Sequence, residues 1–292
     1  MYVQVLLNGV SVGALYALAA VALATIAECC GFFDLSQGAV YIVGFYVTLV
    51  CRQWLDNFAV AAALGTLTGA ILGSLLYFVV YAPLRRVTRG NVPVLIASLA
   101  VLHAAENVVS LIWGPGTRTI RSVLVEPVFH VGSGYFTTTQ LYTAIAAAVA
   151  IGVVATARAT SSWGRLVRAV ASDRELAIVR GVRVGLVTAV TVVIGSALMA
   201  LAGVLGGLNS DMGPGAGFGA VLVAWVATVL GGAGRVSATV CAAIAVGLLQ
   251  NVPMLWVASQ WQDALLYGAV LILLLFHPHG FGGPVGTQLK YN

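Results

Sequence analysis

Long apolar stretches separated by short polar breaks occupy most of this chain, and they decide which solvent it folds in. A helix needs about 20 apolar residues to cross a hydrocarbon core of about 30 Å, and inside that core every backbone N–H and C=O must be satisfied within the fold. Stretches of this kind cover residues 3–27, 38–50, 58–81, 92–113, 140–157, 186–208, 218–230, 236–251 and 258–276. The chain of 292 residues is 60% hydrophobic and 8% charged, too little charge to coat a water-facing surface. The stretches are nearly continuous, which favours helices over the alternating strands of a barrel. The expected fold is all-α, a polytopic transmembrane bundle of about eight or nine spans, built as one domain over residues 1–292. The first stretch is too long for a signal-peptide core and is expected to stay as a membrane helix.

Basic residues orient the bundle, because short loops rich in Arg and Lys stay in the cytoplasm. Arg85, Arg86 and Arg89 share one loop, and Arg158, Arg165, Arg168, Arg174, Arg180 and Arg183 share another two crossings later. Arg235 and Lys290 fall on the same side, leaving Arg52, Arg118 and Arg121 for the opposite face. This places the amino terminus outside and the carboxyl terminus in the cytoplasm. The net charge of +5 is therefore a membrane-orientation signal, and no nucleic-acid partner is expected. Cys29, Cys30, Cys51 and Cys241 have no metal-ligand spacing and read as small membrane-compatible residues. Trp54, Trp113, Trp256 and Trp261 lie near span ends, where indole rings suit the headgroup layer.

Two polar breaks interrupt the apolar pattern. The first, residues 28–37, carries Glu28, Gly31, Asp34, Ser36 and Gln37, with Gly38 opening the next stretch; the second, 209–219, carries Asn209, Asp211 and Pro214. Each follows a long apolar helix, and the two helices, the first and sixth of the proposed spans, are expected to cross in opposite directions. Interrupted segments at corresponding places in two inverted halves point to a transport path, so discontinuous helices in inverted repeats are expected. Asp34, Ser36, Gln37, Gly38, Asn209 and Asp211 are the candidate path residues. The alternative is a pair of short loops at the membrane surface. A carboxylate at the bilayer centre costs about 2.5–3.5 kcal/mol on insertion scales, which weighs against keeping one there without use.

Residues 158–185 form a long cytoplasmic connection. Leu166, Val167 and Val170 share one helical face, with Arg165 and Arg168 towards another. Ser172, Asp173, Arg174 and Glu175 have the Ser-x-x-Glu spacing of a capping box, so a second short helix is expected to start at Ser172, run through 176–179, carry Arg180 at its carboxyl end and close on Gly181 in a left-handed cap. Two capped helices outside the membrane suit docking into a groove on a partner; a basic segment lying on anionic lipid is the alternative.

Catalytic signatures are missing. No G-x-x-x-x-G-K-[ST] loop is present and Lys290 is the only lysine, so this chain supplies no Walker-type ATP site; no G-x-S-x-G or H-E-x-x-H motif occurs either. No metal site is expected, and His277 and His279 read as a terminator at the membrane surface. His103, Glu106 and Asn107 share a face of one span, as interhelical hydrogen-bond glue, as a proton relay or as a substrate contact. Glycines at spacing four (Gly9 and Gly13; Gly65, Gly69 and Gly73; Gly203 and Gly207) allow close helix packing.

These features resemble the permease subunits of branched-chain amino-acid ABC importers, the LivH/LivM type. The resemblance covers nearly the whole chain: Asn8-Gly9 and the run 13–18 in the opening helix, residues 81–86, Arg168 to Ala171 with Gly181-Val182, residues 202–205 and 229–234, and the terminal Pro278-His279-Gly280-Phe281. The family usually has Asn-Phe-Ala-His-Gly-Glu after its first helix, where this chain reads Asp34-Leu35-Ser36-Gln37-Gly38-Ala39 and keeps only the glycine. Glu28 also stands where the family has a small residue. The resemblance implies a multi-pass subunit of the bacterial inner membrane, moving branched-chain or other small amino acids or amides by alternating access. It implies a second permease subunit, homologous or identical, two cytoplasmic ATPases that hold ATP and Mg, and an extracytoplasmic solute-binding protein; the chain itself needs no cofactor and is not an enzyme. Arg165, Arg168, Ser172, Asp173, Glu175, Arg180 and Gly181 then become the candidate coupling surface for the ATPases. Two other readings stand beside it: an ion-gradient-driven transporter using Glu28, Asp34 or Glu106, and a membrane scaffold.

Overall fold

The computed structural model describes residues 2–87, 90–120, 128–131, 134–232, 234–251 and 268. The proposed span 258–276 lies outside the described residues except for Gly268, as do Trp256, Trp261, His277, His279, Lys290, Arg89 and Arg121. The helices are α1 (Tyr2–Cys30), α2 (Gln37–Trp54), α3 (Phe58–Leu76), α4 (Ala82–Val87), α5 (Val92–Trp113), α6 (Thr138–Thr160), α7 (Ser162–Ser172), α8 (Arg174–Val179), α9 (Val184–Asn209), α10 (Ala216–Gly231) and α11 (Val236–Asn251). Among the described residues, five helical stretches are long and apolar enough to cross a membrane: Gln4–Cys30, Phe58–Arg85, Val92–Trp113, Thr138–Thr160 and Val184–Asn209. The shorter α10 and α11 follow the second break. One antiparallel hairpin, β1 (Val128–Val131) with β2 (Gly134–Thr137), adds a small strand element before α6. α6 begins at Thr138, two residues before the expected start, where the Thr137 amide donates to Gln140 Oε1 at 3.2 Å.

Pro83 sits inside a continuous helical stretch. The preceding residues, Tyr77–Tyr81, form a π-helical turn, and the Ala82 amide reaches back to the Tyr77 carbonyl. A widened turn absorbs the donor that proline lacks, and it rotates Tyr77 and Tyr81 into the core beside Ile26, Cys30 and Phe32.

The pairing of helices repeats with opposite polarity. α1 packs on α11 as α9 packs on α3, α1 on α10 as α9 on α2, and α10 on α11 as α2 on α3; α1–α9 and α2–α10 are the self-related pairs. Exchanging the first three helices for the last three leaves this set unchanged, which is the pattern of an inverted repeat. The two long helices run antiparallel, with Cys29 against Thr188 and Ile26 against Gly195. Small residues make the contacts. A β-carbon on Gly13 would fall 2.9 Å from the Ile244 Cα, and one on Gly69 2.3 Å from the Ala200 Cβ. In lipid, where apolar burial gives no net drive between helices, such close backbone approach supplies the association.

The half-helices α2 and α10 meet at their first turns. A β-carbon on Gly38 would lie 2.7 Å from the Gly217 carbonyl oxygen, and one on Gly217 2.4 Å from that of Gly38. Gly38→Val and Gly217→Val are expected to destabilise the folded protein by about 1–3 kcal/mol each through overpacking. Gly219→Ala, which meets open space, serves as the control in a thermal unfolding series in detergent.

Candidate functional site: a polar cavity and a capped docking segment

The first break is a closed polar knot. Asp34 Oδ1 accepts from the Ser36 amide at 3.0 Å and the Ser36 hydroxyl at 2.7 Å, and the Tyr81 hydroxyl lies 2.6 Å from it; Oδ2 accepts from Gln37 Nε2 at 2.9 Å. The Ser196 hydroxyl of α9 donates to Gln37 Oε1 at 3.2 Å, and the Leu35 amide to Ser98 Oγ at 3.3 Å. Asp34, Ser36, Gln37, Tyr81 and Ser196 are all buried. A buried carboxylate that accepts this many bonds has its oxygens satisfied without water. Four of the expected path residues, Asp34, Ser36, Gln37 and Gly38, therefore join helices and do not line the cavity described next.

The second break opens onto a cavity of about 480 Å³ at the amino-terminal end of α1. Asn209 and Asp211, both singled out by sequence, line it. Sequence reasoning missed the other polar walls: Asn8, Ser11, Gln140, Gln250 and Asn251. The signal was present, since each of these is an amide or hydroxyl near the end of an apolar stretch, and Asn8 and Ser11 share a face. Hydrogen bonds tie the walls across helices. Tyr16 Oη donates to Gln250 Oε1 at 2.6 Å, Gln140 Nε2 to Asn8 Oδ1 at 3.4 Å, and Asn209 Nδ2 to Thr143 Oγ1 at 2.9 Å. Asp211 is the one charged residue among the described lining residues, and it is exposed at the rim. A two-way bridge between Arg118 and Met212 (2.8 and 2.9 Å) fixes the chain just beyond it.

Of His103, Glu106 and Asn107, Glu106 makes a hydrogen bond between helices, whereas Asn107 Nδ2 donates to the His103 carbonyl of its own helix. Glu106 Oε2 lies 2.9 Å from His103 Nδ1, and Oε1 accepts from the Phe218 amide at 3.2 Å, so a side chain of α5 satisfies the first turn of α10.

At the opposite end of α1, the connection between α6 and α9 folds as two short helices. Ser161 caps α7 by accepting from the Gly164 amide at 3.2 Å. Val167 and Val170 are buried against Cys29, Ala177, Val184 and Val187, whereas Leu166, expected on the same face, is exposed. The expected capping box at Ser172 is corrected. Ser172 ends α7 and its hydroxyl donates to the Arg168 carbonyl at 2.8 Å, while Asp173 caps α8 by accepting from the Leu176 amide at 2.9 Å. Asp173 is one residue closer to the new helix, and its shorter carboxylate reaches the free amide donors that Glu175, inside the first turn, cannot. Gly181 takes the expected left-handed conformation, φ 80°, with its amide on Ile178 O and that of Val182 on Ala177 O. Asp173, Glu175, Arg180 and Gly181 are exposed. Arg165 and Arg168 are also exposed but turn back on their own chain, to Thr160 O and Ser162 Oγ and to Arg158 O.

The family model for the branched-chain amino acid transport system permease component matches residues 5–275. The chain belongs to this family. It is 28% identical over 301 residues to the high-affinity branched-chain amino acid transport system permease protein LivH of Salmonella typhimurium, and equally to LivH of Escherichia coli K12, with 97% of this chain and 96% of each relative covered. The permease protein BraD of Pseudomonas aeruginosa is 29% identical over 296 residues with the same coverage. No solved structure matches it. The chain is thus a multi-pass membrane transport subunit of the all-helical permease type.

A thiol-labelling series separates the two breaks. In a background with the four native cysteines replaced, Asn8→Cys and Ser210→Cys are expected to react with a small membrane-impermeant reagent, and Ser36→Cys to remain unlabelled until the protein unfolds.

Proposed function

We propose that this permease is one membrane subunit of an ATP-driven importer for branched-chain or other small amino acids. Its cavity receives solute on the extracytoplasmic side, and its α7–α8 segment docks on a cytoplasmic ATPase that holds ATP and Mg. A second permease subunit, two ATPases and an extracytoplasmic solute-binding protein complete the assembly in the bacterial inner membrane. The carboxyl terminus faces the cytoplasm. The observation that carries this reading is the placement of the cavity and the capped segment at opposite ends of the same helix, α1.

Chemistry supports each half. Neutral amides and hydroxyls with a carboxylate at the rim suit a small zwitterion, whose ammonium pairs with Asp211 and whose carboxylate accepts from amide donors. α8 presents Leu176, Ile178 and Val179 to solvent, the last 82% exposed, flanked by Glu175 and Arg180. An exposed apolar row on a rigid, doubly capped helix is the form that a groove on a partner recognises. The three carboxylates that a gradient-driven transporter would use are each engaged: Glu28 with Arg158, Asp34 in its knot, and Glu106 with His103 and the Phe218 amide.

Uptake of labelled leucine, isoleucine and valine into vesicles tests the reading. The chain assembled with its partner subunits is expected to transport only with ATP and loaded binding protein. Transport by the chain alone down an ion gradient would overturn it. Val179→Asp combined with Arg180→Ala is expected to lower ATP-dependent uptake by about tenfold or more, as for a loss at an interface centre, while membrane insertion is retained.

A further inference from the structure

We infer that the ion pair between Glu28 and Arg158 is the strut through which the α7–α8 segment moves α1, so that these two residues position the transport cycle without touching solute or nucleotide. The inference rests on the proposed importer reading and extends it to the path of the force.

Arg158 occupies the last turns of α6, where four elements meet. Its guanidinium pairs with Glu28 of α1, both side chains being 7% exposed, and Nη1 also reaches Thr25 Oγ1 of α1 at 3.3 Å. Nη2 lies 3.5 Å from the Gly234 carbonyl in the connection between α10 and α11. Its own carbonyl accepts from Arg168 Nη1 of α7 at 2.7 Å. The start of α7 is pressed on the same peptide, since a β-carbon on Gly164 would fall 2.0 Å from the Arg158 oxygen. A displacement of α7 therefore reaches the Arg158 backbone directly, and the buried ion pair passes it to α1.

Arg158 ties the docking segment to α1 by charge, where α7 otherwise meets α1 through the apolar packing of Val167 and Val170 on Cys29. A dry ion pair resists separation of its partners, because parting them strands two buried charges. The other end of α1 carries Asn8, Ser11 and Tyr16 of the cavity wall. α1 is 29 residues of uninterrupted helix, so a shift at Glu28 is delivered there as a rigid-body motion. Glu28, which the resemblance left as an unexplained departure from a small residue, is thereby given a partner and a role.

The test uses the complete transporter, with its partner permease, ATPases and binding protein, in vesicles supplied with labelled leucine, and it reads leucine transported per ATP hydrolysed. Glu28→Gln and the apolar pair Glu28→Met with Arg158→Met are expected to reduce that ratio by about tenfold, the scale of an ordinary coupling free energy. The exchanged pair Glu28→Arg with Arg158→Glu is expected to restore it towards the wild-type ratio. The apolar pair keeps the volume and removes the buried charge, so it remains informative if the single variant fails to assemble. An apolar pair that transports with the wild-type ratio would overturn the strut, as would an exchanged pair that stays as uncoupled as the apolar one. A wild-type assembly that hydrolyses no ATP during uptake would instead remove the importer reading itself, a result distinct from either.

Discussion

A helix that starts in the interior of a bundle has first-turn amide donors that must find acceptors there, and the starts of α2 and α10 find them in carbonyls of their own breaks and in Glu106. α2 and α10 both begin at polar breaks, and their first turns touch at Gly38 and Gly217, the backbone of one filling the space a side chain would need on the other. A carboxylate lies beside each start. Asp34 takes the Ser36 amide from within its own break, and Glu106 of α5 takes the Phe218 amide from outside. Each carboxylate lies where a backbone N–H donor points, which offsets part of the cost of taking it out of water. Around this contact α1 packs on α10, α9 packs on α2 and the two long helices pack on each other, which completes the inverted pairing.

That arrangement separates two kinds of polar residue that look alike in a sequence. Asp34, Ser36 and Gln37 have the composition of a transport path, yet their donors and acceptors are consumed by one another and by Tyr81 and Ser196. Asn8, Gln140 and Gln250 look incidental, near the ends of apolar runs, yet they share the wall of one cavity. The difference is tertiary. Whether a polar group faces a cavity or a neighbouring helix depends on which helices are adjacent, and α1 meets α6 and α11 across more than one hundred residues of chain.

The bundle, the two breaks, their inverted relation and the two capped helices were readable from apolar run length, glycine and proline placement and the charge pattern. Position within a turn was not. Ser172 and Asp173 are both good cap residues one step apart, and the choice fell to the one whose carboxylate reaches the Leu176 amide. Pro83 marked a boundary that the chain bridges with a π turn, because keeping the stretch helical brings Tyr81 to Asp34. In both cases local rules name the candidates and a contact made elsewhere selects among them.

The distribution of satisfied charge also bears on where the energy for movement enters. A carboxylate that carries protons across a membrane must be reached by water in turn from each side, and its partners must release it at modest cost. Asp34 is held by Ser36, Gln37 and Tyr81, and Glu28 by an arginine at the point where α6 turns into the docking segment. Releasing either leaves buried polar groups without their partners, which opposes a role that requires release in every cycle. The exposed groups lie instead at the two ends: Asp211 and Ser210 at the cavity rim, and Glu175, Val179 and Arg180 on α8. Carboxylates held by several partners in the interior, with exposed groups at the two ends, suit the proposed reading in which the bundle is moved from its ends.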